Sequence, residues 1–215
     1  MSGFDLVAPY YDHVVRIVFG QKINNFNRKI LASIAPVKRC MIIGGGSGKI
    51  LLDAIEMNLA SSYCYAELSS KMKKKAKDRL NDRQLQQVTF TADYSETDSR
   101  FDLIVLPFVL DCYSESSVHQ FLYNLEPILT NHGKLLIIDF NHEPLNDQRP
   151  TFIQKQFIRL LYLFFRITSN IEAKKLPRIL SILKDSNFTL ISRDRLYNGW
   201  IVSSVYGSAK NDDVA

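Results

Sequence analysis

Residues 41–50 read MIIGGGSGKI, an apolar run that ends in four glycines within five positions and then a lysine. Such a passage predicts a buried strand that turns sharply into a helix, with bare backbone where a ligand can come close. Two phosphate-binding signatures fail on it. The nucleotide-triphosphate loop needs a glycine five positions before the final Gly-Lys pair and a hydroxyl residue after the lysine, but Ile43 and Ile50 stand there. The dinucleotide loop needs its third glycine where Lys49 stands, the point at which strand and helix pack closely. What remains is Gly-x-Gly-x-Gly at Gly44, Gly46 and Gly48.

Outward from this loop the pattern repeats. RCMIIG forms the strand before the glycines, and a helix follows to about Asn58. SYCYAEL (62–68), QVTFTAD (87–93), FDLIVLPFV (101–109) and GKLLIIDF (133–140) read as further strands. Helices SSKMKKKAKDRL and SESSVHQFLYNLEPIL alternate with them, and Pro107 ends the fourth strand because proline cannot serve a central ladder. Strand and helix in alternation predict a mostly parallel sheet covered on both faces. The end differs: FTLISRDRLYNGWIVSSVYG reads as two strands joined by a tight turn at Asn198-Gly199. The expectation is an α/β three-layer sandwich, a doubly wound seven-stranded mostly parallel sheet with a C-terminal antiparallel hairpin. One domain spans 1–207, opened by a helical lid over about 1–35, and 208–215 is a polar tail.

Composition narrows the class. The 215 residues are 46% hydrophobic and 23% charged, as expected of a globular protein rather than a disordered or fibrous one. Asp5 and the lack of a basic segment before an apolar one argue against a signal peptide. The most apolar stretch, FIQKQFIRLLYLFFRI (152–167), carries Lys155, Arg159 and Arg166 and is too short to span a bilayer. Cys40, Cys64 and Cys112 form no paired motif, which predicts free thiols and a cytoplasmic location. No metal-ligand pattern is present in the sequence. Much of the net charge of +5 lies on Lys71, Lys73, Lys74, Lys75 and Lys77, on several faces of one helix, which reads as a solvated surface and disfavours nucleic acid.

The strand ends carry the chemistry. Gly44, Gly45, Gly46 and Gly48 form the loop, and Glu67, with Leu68 beside it, closes the second strand where a carboxylate can accept both hydroxyls of a ribose. Asp93, with Tyr94 beside it, follows the third strand, where an acid can receive an adenine amino group. Pro107 and Phe108 end the fourth strand, where they can lie against the base. All fall at carboxyl ends of successive strands, the ligand edge of an open α/β sheet.

In this order IIGGGSG, YAEL, FTADY, FDLIVLPFVLD, LEPILTNHGKLLIIDF and GWIVSSVY resemble the class I methyltransferases that use S-adenosylmethionine, over about residues 4–206. VAPYYD is similar to the opening of the ubiquinone and menaquinone methyltransferases. The resemblance implies S-adenosylmethionine as cofactor and methyl transfer to oxygen or carbon of a small hydrophobic or aromatic acceptor. It also implies that Tyr11 folds over the methionine end, with Tyr10 on the substrate side. His142, past the fifth strand, and His13, in the lid, are candidate proton acceptors, since histidine changes charge near neutral pH. Phe152, Phe157 and Phe164 are candidates for the substrate pocket, against ordinary core packing or a dimer or membrane-surface contact.

One position departs from the family. Ile42 stands where most members place the acid that receives the methionine ammonium. The loop is also similar to that of spermidine synthase, which keeps an aminopropyltransferase open as an alternative, alongside a non-catalytic cofactor-binding protein. LPFV after the fourth strand lacks the Asn/Asp-Pro-Pro-aromatic pattern of enzymes that methylate base nitrogens. The expected partner is a small molecule; peripheral membrane contact and the choice between monomer and homodimer stay open.

Overall fold

A computed structural model describes residues 21–97, 99–141, 143 and 176–208. The opening twenty residues of the expected lid, the segment 152–167 and nearly all of the polar tail lie outside the described residues. So do Tyr10, Tyr11, His13, His142, Phe152, Phe157 and Phe164.

Helix α1, Lys22–Ala32, buries Ile23, Phe26, Ile30 and Leu31, the three-and-four spacing of a single apolar stripe. Strand β1 (Val37–Ile43) leads through the glycines to α2 (Lys49–Glu56). Then come β2 (Ala60–Ala66), α3 (Ser70–Asp78), a single-turn helix α4 (Asp82–Leu85) and β3 (Val88–Thr91). Strand β4 (Phe101–Pro107), α5 (Glu115–Leu125) and β5 (Leu129–Phe140) follow, then α6 (Ile179–Lys184), β6 (Phe188–Leu196) and β7 (Ile201–Ser208).

The seven strands form one sheet in the order β3-β2-β1-β4-β5-β7-β6. Strands β1 to β5 run parallel, and β7 is antiparallel to both β5 and β6. β1 lies between β2 and β4, so the chain leaves it on one side and returns on the other. That reversal opens a crevice at the carboxyl ends of β1 and β4. Successive residues of β1 bury into opposite faces: Cys40 and Ile42 join a cluster with Leu51, Tyr65 and Val105, whereas Met41 and Ile43 join one with Leu106, Leu122 and Leu183. Burial on both faces explains why the last four residues of the strand read as an unbroken apolar run.

Differences from expectation sit at element ends. β2 stops at Ala66, which leaves Glu67 in the loop rather than in the strand. α4 was not anticipated; Asn81 and Gln84 cap it reciprocally, a device that stabilises even one turn. α5 ends at Leu125 because Pro127 has no amide to donate, and Glu126–Ile128 tighten into a 3-10 turn. β5 starts at Leu129, ahead of the GKLLIIDF run, since Leu129 pairs with Phe101 before the register shifts. The hairpin turn is as expected: Asn198 (φ 56°) and Gly199 (φ 83°) occupy its centre, and Trp200 N–H donates to the Tyr197 carbonyl at 3.2 Å. Among the described residues no helix is long and apolar enough to cross a membrane.

Candidate functional site

The glycine loop is tied at every turn. Gly44 N–H donates to the Ala66 carbonyl (2.8 Å), and Gly48 N–H to the Gly45 carbonyl (3.2 Å). The Tyr65 hydroxyl donates to the Gly46 carbonyl (2.8 Å), and Arg79 donates from Nε to the Ser47 carbonyl (2.6 Å) and from Nη2 to its hydroxyl (3.2 Å). Glycine is required where neighbours press in. At Gly44 (φ 68°) a Cβ would lie 2.6 Å from Val109 Cγ2, and at Gly48 (φ 84°) 2.6 Å from Ala76 Cβ. Lys49 does not face the loop's ligand side: its ammonium pairs with Asp53 one turn on (2.6 Å), a carboxylate that Arg28 also grips. The lysine of the glycine loop is therefore part of an ion cluster between α1 and α2.

Glu67 is nearly buried at 7% exposure. Its Oε2 accepts the Gly46 amide (3.0 Å) and its Oε1 the Ser69 amide (2.9 Å), so one carboxylate bridges the glycine loop and the start of α3. Such charge-assisted bonds fix the side chain before any ligand arrives.

A cleft of about 560 Å³ opens at this edge. Of the residues named from sequence, Gly44, Gly46, Glu67, Leu68, Asp93, Tyr94 and Phe108 line it. Leu68, 69% exposed, presents a large apolar side chain there. Gly45, Gly48 and Pro107 stand behind the lining. Gly45 lies under the Tyr65 ring, Gly48 abuts Ala76, and Pro107 is buried beside Ile138 in the sheet.

Asp93 is exposed, and its Oδ1 accepts the Ser95 amide (3.0 Å), capping a 3-10 turn over Tyr94–Glu96. The Tyr94 ring lies 5.1 Å from Phe121, which lies 5.4 Å from Tyr113, so the cleft has an aromatic wall. Burial pushes the Tyr94 phenol up and keeps it neutral. Phe108 holds a left-handed backbone (φ 56°), a conformation that costs a side-chain-bearing residue roughly 1 kcal/mol. Its amide donates to the Ile138 carbonyl (2.7 Å) and its ring packs on Phe140 (5.2 Å), contacts that hold it there.

Several lining residues escaped the sequence reading. Val109, Cys112 and Tyr113 belong to the turn after β4, and Ser117, Gln120 and Asn124 to α5. On α5 the apolar stripe Val118, Phe121, Leu122 and Leu125 is the louder signal. The polar residues at three- and four-residue spacing beside it mark the face turned to the cleft.

Tyr65→Phe tests the loop's anchoring. Loss of the bond to the Gly46 carbonyl is expected to cost about 1 kcal/mol in urea unfolding, with the midpoint lowered and the slope unchanged.

Comparison with known proteins agrees with this geometry. Residues 41–135 match the family model described as a methyltransferase domain. No curated protein sequence matches the chain. Among solved structures, the mitomycin 7-O-methyltransferase MmcR superposes with a TM-score of 0.67 at 18% identity, covering 97% of this chain and 61% of that one. An O-methyltransferase family protein from Burkholderia thailandensis gives 0.68 at 12% identity, covering 92% and 58%. The N-methyltransferase NodS from Bradyrhizobium japonicum, in complex with S-adenosyl-L-homocysteine, gives 0.65 at 13%, covering 90% and 89%. This chain thus spans about three-fifths of the length of the first two. Strand order and the antiparallel closing hairpin give the chain the fold of these solved methyltransferases, and residues 41–135 match the model of a methyltransferase domain.

Proposed function

We propose that the protein transfers a methyl group from S-adenosylmethionine to oxygen or carbon of a small hydrophobic or aromatic acceptor. One observation carries the reading: the nearly buried Glu67 carboxylate opens onto the cleft between the Gly46 and Ser69 amides. A ribose diol needs such an acceptor at the end of β2. The rest of the cleft fits the cofactor. Its volume lies in the range of small-molecule sites. Gly44 leaves its backbone bare beside Val109, and Tyr94, Phe121 and Phe108 supply apolar surface for a flat base.

The sulfonium of the bound cofactor supplies an electrophilic methyl group. The chain's own part is to bind, align and exclude water, because alignment provides much of the rate in a direct displacement. Glu67 orients the sugar, Asp93 the adenine amino group, and the Gly44–Gly48 turn the amino-acid arm. His142, which follows β5, is the proposed proton acceptor for a phenol or an acidic carbon, with His13 as the other candidate. Tyr11 is proposed to cover the methionine end, and Tyr10, Phe152, Phe157 and Phe164 to surround the acceptor. A polyamine acceptor is less well served: of the carboxylates lining the cleft among the described residues, Glu67 and Asp93 are both given to the nucleoside.

Incubation with methyl-labelled S-adenosylmethionine and a panel of phenols and quinols is expected to give a labelled small product. Cofactor binding without transfer to any of them would instead favour a binding protein. Asp93→Ala is expected to weaken cofactor binding about fivefold, the size of one exposed hydrogen bond, measured by calorimetry.

A further inference from the structure

The cleft has a polar edge that none of the strand ends supplies. On α5, Ser117, Gln120 and Asn124 line it at three- and four-residue spacing. Tyr94, which follows Asp93, packs its ring on Phe121 at 5.1 Å and so brings this helix to the residues assigned to the base. Gln120 Nε2 donates to Asn124 Oδ1 (2.9 Å), one helical turn on. Asn124 also hydrogen-bonds the Tyr94 hydroxyl. That bond favours the phenolate over the phenol, so it comes from the Asn124 NH2 group, which leaves Oδ1 to Gln120. The direction of the Gln120 amide follows. With Nε2 held by Asn124, Oε1 takes the other branch of the amide, and among the described residues no donor meets it. An acceptor in that state on the cleft lining suits a ligand that brings an N–H group and works against one that brings a second carbonyl.

We infer that Gln120 selects the base of the cofactor: its Oε1 accepts a hydrogen from the amino group at C6 of a purine. Adenine carries NH2 at that position and hypoxanthine, like guanine, carries a carbonyl, so donor and acceptor are exchanged. The role rests on the methyl-transfer reading of the same cleft and extends it. The amino group has two hydrogens; Asp93 takes one and Gln120 the other, which holds the base both from the loop after β3 and from α5. Asn124 and Tyr94 are positioning residues, since they reach the base only through the Gln120 amide. Turning that amide to meet a carbonyl breaks its bond to Asn124 and so costs the oxo base a second contact.

The size of the effect follows from exposure. Gln120 and Asn124 are exposed and Tyr94 is half-buried, so the bond from Gln120 is that of a surface amide and gives a modest factor rather than an absolute filter.

The test is calorimetric titration of the full chain with S-adenosylhomocysteine and S-inosylhomocysteine, read as the ratio of the two dissociation constants. The wild-type protein is expected to prefer the adenosyl ligand at least tenfold. Gln120→Leu is expected to lower that ratio about fivefold, through weaker adenosyl binding with inosyl binding little changed. Gln120→Glu, which keeps an acceptor on each branch, is expected to hold the ratio at or above the wild-type value. Asn124→Ala frees the amide to turn and is expected to lower the ratio about twofold. All three variants lie on the exposed face of a helix, and leucine, glutamate and alanine are strong helix formers, so the fold is retained. A Gln120→Leu variant with the wild-type ratio, including one that weakens both ligands equally, would overturn the role, because a structural part does not tell the two bases apart. A wild-type protein that binds both ligands equally well would overturn it too and leave the methyl-transfer reading standing. Failure of the wild-type protein to bind either ligand would overturn that reading as well.

Discussion

Glu67→Gln is expected to weaken S-adenosylmethionine binding about 100-fold, read as the dissociation constant in a calorimetric titration. The carboxylate accepts from the Gly46 and Ser69 amides through its two oxygens. A glutamine amide has one acceptor oxygen, so its NH2 group must meet one of those amides, a donor against a donor. The side chain then turns, and the ribose loses charge-assisted bonds worth about 1.5–3 kcal/mol each. A net loss of about 3 kcal/mol corresponds to the factor of 100. Unfolding should show a smaller loss, about 1 kcal/mol for the amide left without an acceptor, because Tyr65, Arg79 and the Ala66 carbonyl still hold the loop. A variant that binds within about threefold of wild type would remove Glu67 from the site.

Gly48→Ala is expected to have the largest effect on stability. Its φ of 84° is left-handed, and an added methyl would meet Ala76 Cβ at 2.6 Å and Ala76 Cα at 2.7 Å. Neither contact is the far end of a flexible side chain, so α3 must move away from the loop or the loop must unwind. Left-handed strain of about 1 kcal/mol and overpacking of about 2 kcal/mol add to about 3 kcal/mol. For a chain of this size that lowers the melting temperature by about 10 °C. Glycine here serves helix-to-helix packing, whereas at Gly44 it serves the cleft.

Regular elements were legible in the chain because burial on both faces of a parallel strand writes itself as an apolar run. RCMIIG, SYCYAEL and FDLIVLPFV all mark strands, and Asn198-Gly199 marks its turn through the positive φ angles it can adopt. Position in the topology then brought Gly44, Glu67, Asp93 and Phe108 to one cleft. What could not be read there depends on long-range contact. Nothing local says that Tyr65 reaches over to Gly46, that Arg79 holds Ser47, or that Lys49 turns to Asp53 instead of a ligand. Asp139, near the end of β5, accepts two amides from the turn after β4. The partners it chooses, Leu110 and Asp111, follow from β4 and β5 being neighbours in the sheet. The inward polar face of α5 stayed hidden behind its apolar stripe for the same reason.

The proposed function requires an adenosyl cofactor lying across the carboxyl ends of β1, β2 and β3. Titration of the wild-type protein with S-adenosylhomocysteine, followed by backbone amide chemical shifts, tests this most directly. Saturable one-to-one binding, with the largest shifts at Gly44, Gly46, Leu68 and Tyr94, is the predicted result. No saturable change, or shifts confined to surfaces away from those strand ends, would contradict it.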